Sequence, residues 1–256
     1  MKVRIIVTII IFIITAKLSG QDTLKNSIVY PTGISVLYGS GSYSQKDEYI
    51  SKEKYSGSLP LFSLIWARDH QQYLYKLHMS YRNSSKIKNY NVSADITHVT
   101  INQGFLYPLK KKTLLNRDLL LWIGPTTDLF FFFNKPDIAV SGFDYAQSFA
   151  LLLSTSVSKE AILKLKPDLQ LESSLKITIL SLGMRMVDSE EDDSSPVKLL
   201  TLFSGLNSSF DLGVRYFLSR KISLKLAYRS EIVRISAWEP LLSASDSITI
   251  GLTCKL

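Results

Sequence analysis

The sequence predicts an all-β protein: a closed antiparallel transmembrane β-barrel of about ten strands in meander order, with eight to twelve strands possible. Three features predict this fold. Apolar and polar residues alternate along much of the chain, a signal peptide precedes them, and residues 248–256 alternate up to the carboxyl end. In that last segment Ile248, Ile250 and Leu252 share one phase, and Thr249 and Thr253 share the other. Because alternate side chains of a strand point to opposite faces, the segment has one apolar and one polar face.

The first 20 residues have the pattern of a secretory signal. Residues 1–4 are basic, residues 5–16 are apolar, and residues 17–21 form a short polar exit. The apolar run is shorter than the roughly 20 residues that a membrane-spanning helix needs. We therefore expect residues 1–20 to be removed and residues 21–256 to form one barrel domain.

Charge and cysteine content exclude two classes of protein. Loss of residues 1–20 removes Lys2, Arg4 and Lys17 and no acids, so the net charge falls from +8 to +5. The mature chain is then only mildly basic, which argues against nucleic-acid binding. Cys254 is the only cysteine, so an internal disulfide scaffold is excluded. We interpret Cys254 as a small apolar side chain on the lipid face.

Period-two alternation is clearest in residues 73–82, 169–179, 210–218 and 222–228, the last two flanking a tight turn at 219–221. Extending this pattern predicts ten strands, at 32–44, 57–68, 72–83, 89–106, 118–133, 145–158, 161–184, 198–218, 221–235 and 245–256. Tight turns are predicted at 69–71, 158–160 and 219–221, and a long polar connection at 45–56. The alternative to a strand at residues 159–166 is a short helix that ends at Pro167.

A soluble exported β-sandwich is the alternative fold, because its outer faces also meet water. The placement of aromatic residues favours the barrel, since Tyr73 and Tyr81 bracket the apolar face of one strand, as interfacial girdles do. Residues 119–123, 130–133 and 199–203 are apolar in both phases. These stretches are expected to pack against something besides lipid.

These features together resemble the small single-chain outer-membrane β-barrel proteins of Gram-negative bacteria. The resemblance covers the mature chain and is architectural, without a family-specific motif. It departs from the usual pattern at Leu256, where such proteins commonly end in an aromatic residue. It implies a location in the bacterial outer membrane, contact with outer-membrane lipids and lipopolysaccharide, and insertion by the barrel-assembly machinery.

Charged residues in the polar phase are expected to face a narrow lumen. Unpaired charges in a confined lumen are costly, so we expect a network of pairs that plugs the barrel in preference to a selective pore. The predicted lumen network comprises Lys76, Arg82, Glu172, Lys176, Asp211, Arg215, Lys225 and Arg229.

A hydrolase acting on lipid is the alternative function. His78, Ser80 and Asp95 lie in the polar phase of adjacent predicted strands, and a serine, a histidine and an acid can form a catalytic set. His78 and Ser80 are two positions apart, about 6–7 Å between Cα atoms, which makes a direct hydrogen bond awkward. We therefore favour a structural or interaction role, or a narrow pore, over an enzyme.

No cofactor or metal site is expected from the sequence. His98 lies where the apolar phase of its strand slips, which indicates a bulge, and three scattered histidines offer no zinc site. The acidic cluster at residues 188–193 lacks the pattern of a calcium loop and is interpreted as a solvated outer loop. Residues 110–112, all lysine, are expected in a charged inner turn.

Overall fold

A computed structural model describes residues 32–48, 51–70, 72–89, 92–109, 112–137, 147–187 and 197–255. The predicted signal peptide, residues 1–20, lies outside these ranges. Within them, no helix is long and apolar enough to cross a membrane. The strands are β1 (Gly33–Asp47), β2 (Ser51–Asp69), β3 (Leu74–Lys88), β4 (Ser93–Pro108), β5 (Lys112–Leu114), β6 (Arg117–Pro136), β7 (Ser148–Lys166), β8 (Leu169–Val187), β9 (Val197–Thr201), β10 (Gly205–Phe217), β11 (Ile222–Ile235) and β12 (Leu241–Cys254).

Ten of these strands form a closed antiparallel barrel. Long strands that are neighbours in the chain pair with each other, β8 pairs with both the short β9 and β10, and β12 pairs with β1 to complete the circle. The two short strands, β5 and β9, pair antiparallel with β6 and β8. The barrel prediction, its strand number and its meander order are confirmed. The β-sandwich alternative is wrong, because the pairings of β12 with β1 and of β8 with β10 close the ten long strands into a single sheet without an open edge.

Both described chain ends lie at the same end of the barrel. Gly33 begins β1 and lies beside the end of β12, where Cys254 pairs with Ile34. We call this the terminal end. At the opposite end, which we call the loop end, Asp47 pairs with Leu241. Such a return of both termini to one side follows from an even number of strands.

The alternation predicted from the sequence separates a lipid-like exterior from a packed interior. In β12, Ile248, Ile250 and Leu252 are 42–53% exposed and point outward, while Thr249 and Thr253 point inward and are buried. The other barrel strands also carry exposed apolar side chains outward. A soluble protein rarely exposes so large an apolar surface, whereas a transmembrane barrel requires one. The chain therefore has the architecture of an outer-membrane β-barrel protein.

Several predicted strand boundaries are wrong. The turn predicted at 158–160 does not exist, because β7 continues through it to Lys166 and the turn lies at Pro167 and Asp168. The helical alternative for residues 159–166 is wrong for the same reason. Proline cannot donate a backbone hydrogen bond to a continuing ladder, so the chain reverses there. The connection predicted at 45–56 is also shorter, since β1 reaches Asp47 and β2 begins at Ser51.

The predicted strand at 198–218 is divided into two by a turn at residues 202–204. The hydrogen-bonded turn places Leu200 inward, with 1% of its surface exposed, and leaves Phe203 82% exposed. The tight turn predicted at 219–221 is confirmed, with Leu218 and Ser219 donating backbone hydrogen bonds to Ile222.

Candidate functional site: the filled lumen

The lumen at the loop end is filled by apolar side chains. They come from β1, β2, β3, β4, β6, β7, β9, β11 and β12, and form one contiguous cluster that we call the apolar plug. Each is at most 2% exposed. Its members are Tyr43, Tyr55, Leu59, Ile87, Ala94, Ile96, Phe130, Phe132, Ala150, Leu152, Leu200, Val233, Ile235 and Leu241. Because they come from strands around the circumference, the plug occupies the cross-section of the barrel.

Phe130 and Phe132 explain why residues 130–133 are apolar in both phases. Their rings lie inside the plug, nearly parallel, with centroids 6.4 Å apart and both side chains 0% exposed. Phe131 and Phe133 point outward on the same strand. The stretch thus packs against the interior of the barrel on one face and forms its apolar exterior on the other.

A smaller apolar cluster lies inside the terminal end. Ala67, Leu74, Leu106, Trp122 and Ile162 form it, with Leu120 packed against it. These residues belong to β2, β3, β4, β6 and β7, so the cluster covers one side of the lumen. Charged side chains from β8, β10 and β11 occupy the other side at this end.

The lumen network predicted from the sequence lies between and beside these clusters, and all eight of its residues point inward. Lys76 pairs with Glu160, Arg82 with Glu231 at 2.6 Å, and Lys176 with Asp128 at 2.5 Å. At the terminal end Glu172 binds two cations, Arg215 and Lys225, the latter at 2.8 Å. Arg229 lies 3.7 Å from Asp211 and 3.7 Å from Glu231.

Three acids of this network were missing from the prediction. Glu160 falls in the turn that was wrongly placed at 158–160. Asp128 shares its phase with Phe130 and Phe132, so its face of β6 resembles a lipid face in sequence. Glu231 has the same phase as Lys225 and Arg229, and this period-two relation could have identified it.

A further buried ion pair connects several strands at the loop end. Arg185 of β8 binds Asp47 of β1 and donates to the backbone carbonyl of Glu239. Ser148 of β7 donates to the other carboxylate oxygen of Asp47. Arg185 is 3% exposed and Asp47 0%, so this contact connects three strands and the β11–β12 connection beneath the surface.

The candidate hydrolase residues do not meet. His78 and Ser80 point into the lumen, but Asp95 is exposed on the outer surface of the barrel, where it pairs in register with Lys135. The ring nitrogens of His78 lie 3.1 and 3.3 Å from the guanidinium of Arg229. The prediction that Asp95 shares a face with His78 and Ser80 is therefore wrong.

His98 lies in regular register and does not mark a bulge. It pairs with Arg82 of β3 and Phe132 of β6 and points inward, 2% exposed. Its ring lies 3.4 Å from Arg82, 3.1 Å from the Thr100 hydroxyl and 3.8 Å from Glu231. This group of a hydroxyl, an imidazole and a carboxylate is buried against Phe130 of the apolar plug, so it acts as part of the packed interior.

Metal-binding clusters are absent from the part of the chain that the structure describes: it has no group of three or more His, Cys, Asp or Glu side chains placed to hold an ion. The acidic cluster at 188–193 lies outside the described residues, as do Lys110 and Lys111. Lys112 is exposed in β5. Cys254 is exposed on the outward face of β12.

Two small polar cavities lie within the charged part of the lumen. One has a volume of about 40 Å³ and is lined by Lys76, Glu160, Glu172, Asp211 and Lys225 among others. The second, about 30 Å³, shares Lys76, Glu160 and Asp211 and reaches Arg229. Volumes of this size accommodate a few water molecules with several polar partners.

No protein-family model and no curated protein matches the sequence. The structure resembles solved outer-membrane proteins. The outer membrane protease OmpT from Escherichia coli matches at 9% identity and a TM-score of 0.49, over 91% of this chain and 100% of that one. The transport unit of the autotransporter AIDA-I from Escherichia coli matches at 10% identity and 0.41, over 96% and 97%. The translocator domain of NalP from Neisseria meningitidis matches at 11% and 0.41, over 91% of both chains.

Proposed function

We propose that this protein is a non-conducting outer-membrane β-barrel with a structural or interaction role, which its outer wall and loop end perform. The apolar plug supports this proposal most directly. Ions cross a pore through a polar or water-filled path, and a constriction of buried apolar side chains without water opposes their passage. We therefore favour a non-conducting barrel over the narrow pore that the sequence also allowed.

The charges beneath the plug support the same conclusion. Each of the five acids in the lumen network has a cation as an ion-pair partner. The two cavities beside them, about 40 and 30 Å³, hold only a few water molecules. Paired charges rigidify the interior, and they leave little free charge to select a passing ion.

The proposal places the terminal end in the periplasm and the loop end at the cell surface. Outer-membrane barrels keep short turns on the periplasmic side and longer loops outside. In this protein the terminal end has turns such as residues 167–168, whereas the loop end has the connections at 137–147 and 188–196. The loop end is thus available to partners outside the cell.

Recording current across a planar lipid bilayer tests the proposal. The refolded barrel is expected to insert without producing unitary currents in concentrated potassium chloride. Folding of the same preparation is verified by a denaturing gel, because a folded barrel migrates differently before and after boiling. Discrete current steps that grow with salt concentration would contradict the non-conducting proposal and restore the narrow pore.

A further inference from the structure

Three basic residues and one leucine form a row on the outer wall near the loop end. Arg234 of β11 pairs in register with Leu242 of β12, Leu242 pairs with Lys46 of β1, and Lys46 pairs with Lys54 of β2. The four positions therefore form one row across four neighbouring strands, which we call the basic row. Neighbouring strands are about 4.8 Å apart, so the row is roughly 15 Å long.

The side chains of the basic row are available to a ligand. Arg234 and Lys54 are exposed, and the outward Leu242 between them is 46% exposed. Among the described residues Arg234 and Lys54 form no ion pair. Lys46 pairs with Glu48 at 2.5 Å, with their side chains 42% and 34% exposed. An exposed pair of this kind contributes little and competes weakly with a multiply charged ligand.

Serine residues occupy the outward positions immediately towards the terminal end from the basic row. We call Ser40, Ser42, Ser44, Ser56 and Ser58 the serine band; they lie on β1 and β2. Ser42 faces Ser58 in register, and Ser44 faces Ser56. The hydroxyl groups of Ser40 and Ser58 lie 3.0 Å apart. The band presents hydrogen-bonding groups on a surface that is apolar on β6, β7 and β8 at the loop-end half.

Below the serine band the same strands are apolar. Val36, Tyr38, Phe62 and Trp66 point outward and are 36–62% exposed. From the terminal end towards the loop end, β1 and β2 therefore present apolar groups, then hydroxyl groups, then cations. On β12 the outward Asp246, which accepts a hydrogen bond from the Tyr228 hydroxyl, lies beside Ser42. A phosphorylated glycolipid in an outer leaflet presents acyl chains, sugar hydroxyl groups and phosphates in the same direction.

We propose that the face formed by β11, β12, β1 and β2 binds a phosphorylated glycolipid of the outer leaflet, such as lipopolysaccharide. The Arg234 guanidinium and the Lys46 and Lys54 ammonium groups bind its phosphates, and the serine band hydrogen-bonds its sugars. Arginine suits a planar double contact to phosphate, and lysine acts as a point charge. The inference rests on the proposed function in one respect, because it requires the loop end to face outward.

Equilibrium binding of purified lipopolysaccharide to the folded barrel in detergent tests this site. The test variant carries Lys46→Gln, Lys54→Gln and Arg234→Gln. The matched control carries Arg68→Gln, Lys159→Gln and Lys255→Gln, which remove the same charge from exposed positions nearer the terminal end. Both variants are first checked for the mobility shift of a folded barrel. If the triple test variant does not fold, the single Lys54→Gln variant replaces it against Lys159→Gln.

We expect the triple test variant to bind on the order of a hundredfold more weakly than the unmodified protein, since each cation near an anionic surface contributes roughly fivefold. The control variant is expected to bind as the unmodified protein does. Lipopolysaccharide stripped of its phosphates is expected to bind the unmodified protein as weakly as intact lipopolysaccharide binds the test variant. Inorganic phosphate alone is expected not to compete at equal concentration, because it lacks the sugars and acyl chains.

Equal losses in the test and control variants would overturn the proposal, because they would show an effect of net charge alone. No loss in the test variant would also overturn it. Formation of a dimer through the serine band, detected by cross-linking at Ser42→Cys in the Cys254→Ser protein and unchanged by added lipopolysaccharide, would assign this face to a second copy of the chain. The bilayer currents test the proposed function separately, so the two failures are distinguishable.

Discussion

Arg82 of β3 and Glu231 of β11 meet inside the barrel, with a nitrogen-to-oxygen distance of 2.6 Å and side chains 2% and 1% exposed. Three strands, β12, β1 and β2, separate them along the wall. Glu231 also lies 3.7 Å from the guanidinium of Arg229. One buried carboxylate thus compensates two guanidinium groups from different strands, just beneath the apolar plug.

Replacing Glu231 with glutamine is expected to destabilise the barrel strongly. The change keeps the size of the side chain but leaves the charges of Arg82 and Arg229 poorly compensated in a buried site, at a cost of about 3–5 kcal/mol. The midpoint of urea unfolding in lipid vesicles, followed by tryptophan fluorescence, measures the effect.

Glu48→Gln is the control for this substitution. It removes the same charge from an exposed pair with Lys46, and we expect a change below about 1 kcal/mol. Similar midpoints for the two variants would show that the buried pair contributes no more than a surface pair.

Phe132→Ala is expected to cost about 3–5 kcal/mol, because it leaves a cavity in the apolar plug. Phe131 is the matched control, since it is adjacent in sequence and points to the exterior. Lipid can fill the space that Phe131→Ala leaves, so a much smaller loss is expected. Urea unfolding in vesicles measures both variants, and equal losses would argue that Phe132 does not pack in a filled lumen.

Gly41→Ala is expected to prevent closure of the barrel. A Cβ atom at Gly41 would lie 1.7 Å from the backbone oxygen of Asp246 in β12. That oxygen belongs to the pairing between β1 and β12, so neither strand can move aside without opening the seam. The variant should lose the mobility shift between unboiled and boiled samples. Ser40→Ala, on the exposed face of the same strand, should retain it.

Spin labels on the outward face of β1 should locate the edge of the lipid. In a Cys254→Ser background, a label at Val36 is expected to collide more with oxygen, which concentrates in lipid, and a label at Ser44 more with a water-soluble nickel complex. The physical reason is the change from apolar residues to serines along this face. Equal oxygen collision rates at both positions would mean that the lipid covers the serine band.

The errors of the sequence-based prediction in β4 share one physical cause. Polar residues were expected to face the lumen, and Asp95 was placed inward on that rule. At the loop end Ala94 and Ile96 belong to the apolar plug and point inward, so Asp95 between them points outward. The apparent slip of phase at His98 has the same origin, since the apolar residues change from the inner face to the outer face near this position without a bulge.

Strand ends were predicted less well than strand faces. Alternation identified β7 and β8, yet the turn between them was placed at 158–160 instead of at Pro167 and Asp168. Glu160 was lost from the network by this error, and its partner Lys76 comes from a strand 84 positions away in the chain. Alternation along one strand carries no information about a contact with a residue so far away in the chain.

By itself the sequence determined the alternation, and with it the all-β class, the lipid-facing residues of β12 and the inward direction of the network cations. These properties are local, because each side chain of a strand alternates with its neighbours irrespective of the rest of the chain. The tertiary structure alone decided which charges meet and that apolar side chains close the loop end. Both depend on the register of ten strands around a closed wall, which brings residues such as Arg82 and Glu231, 149 positions apart, into contact across the lumen.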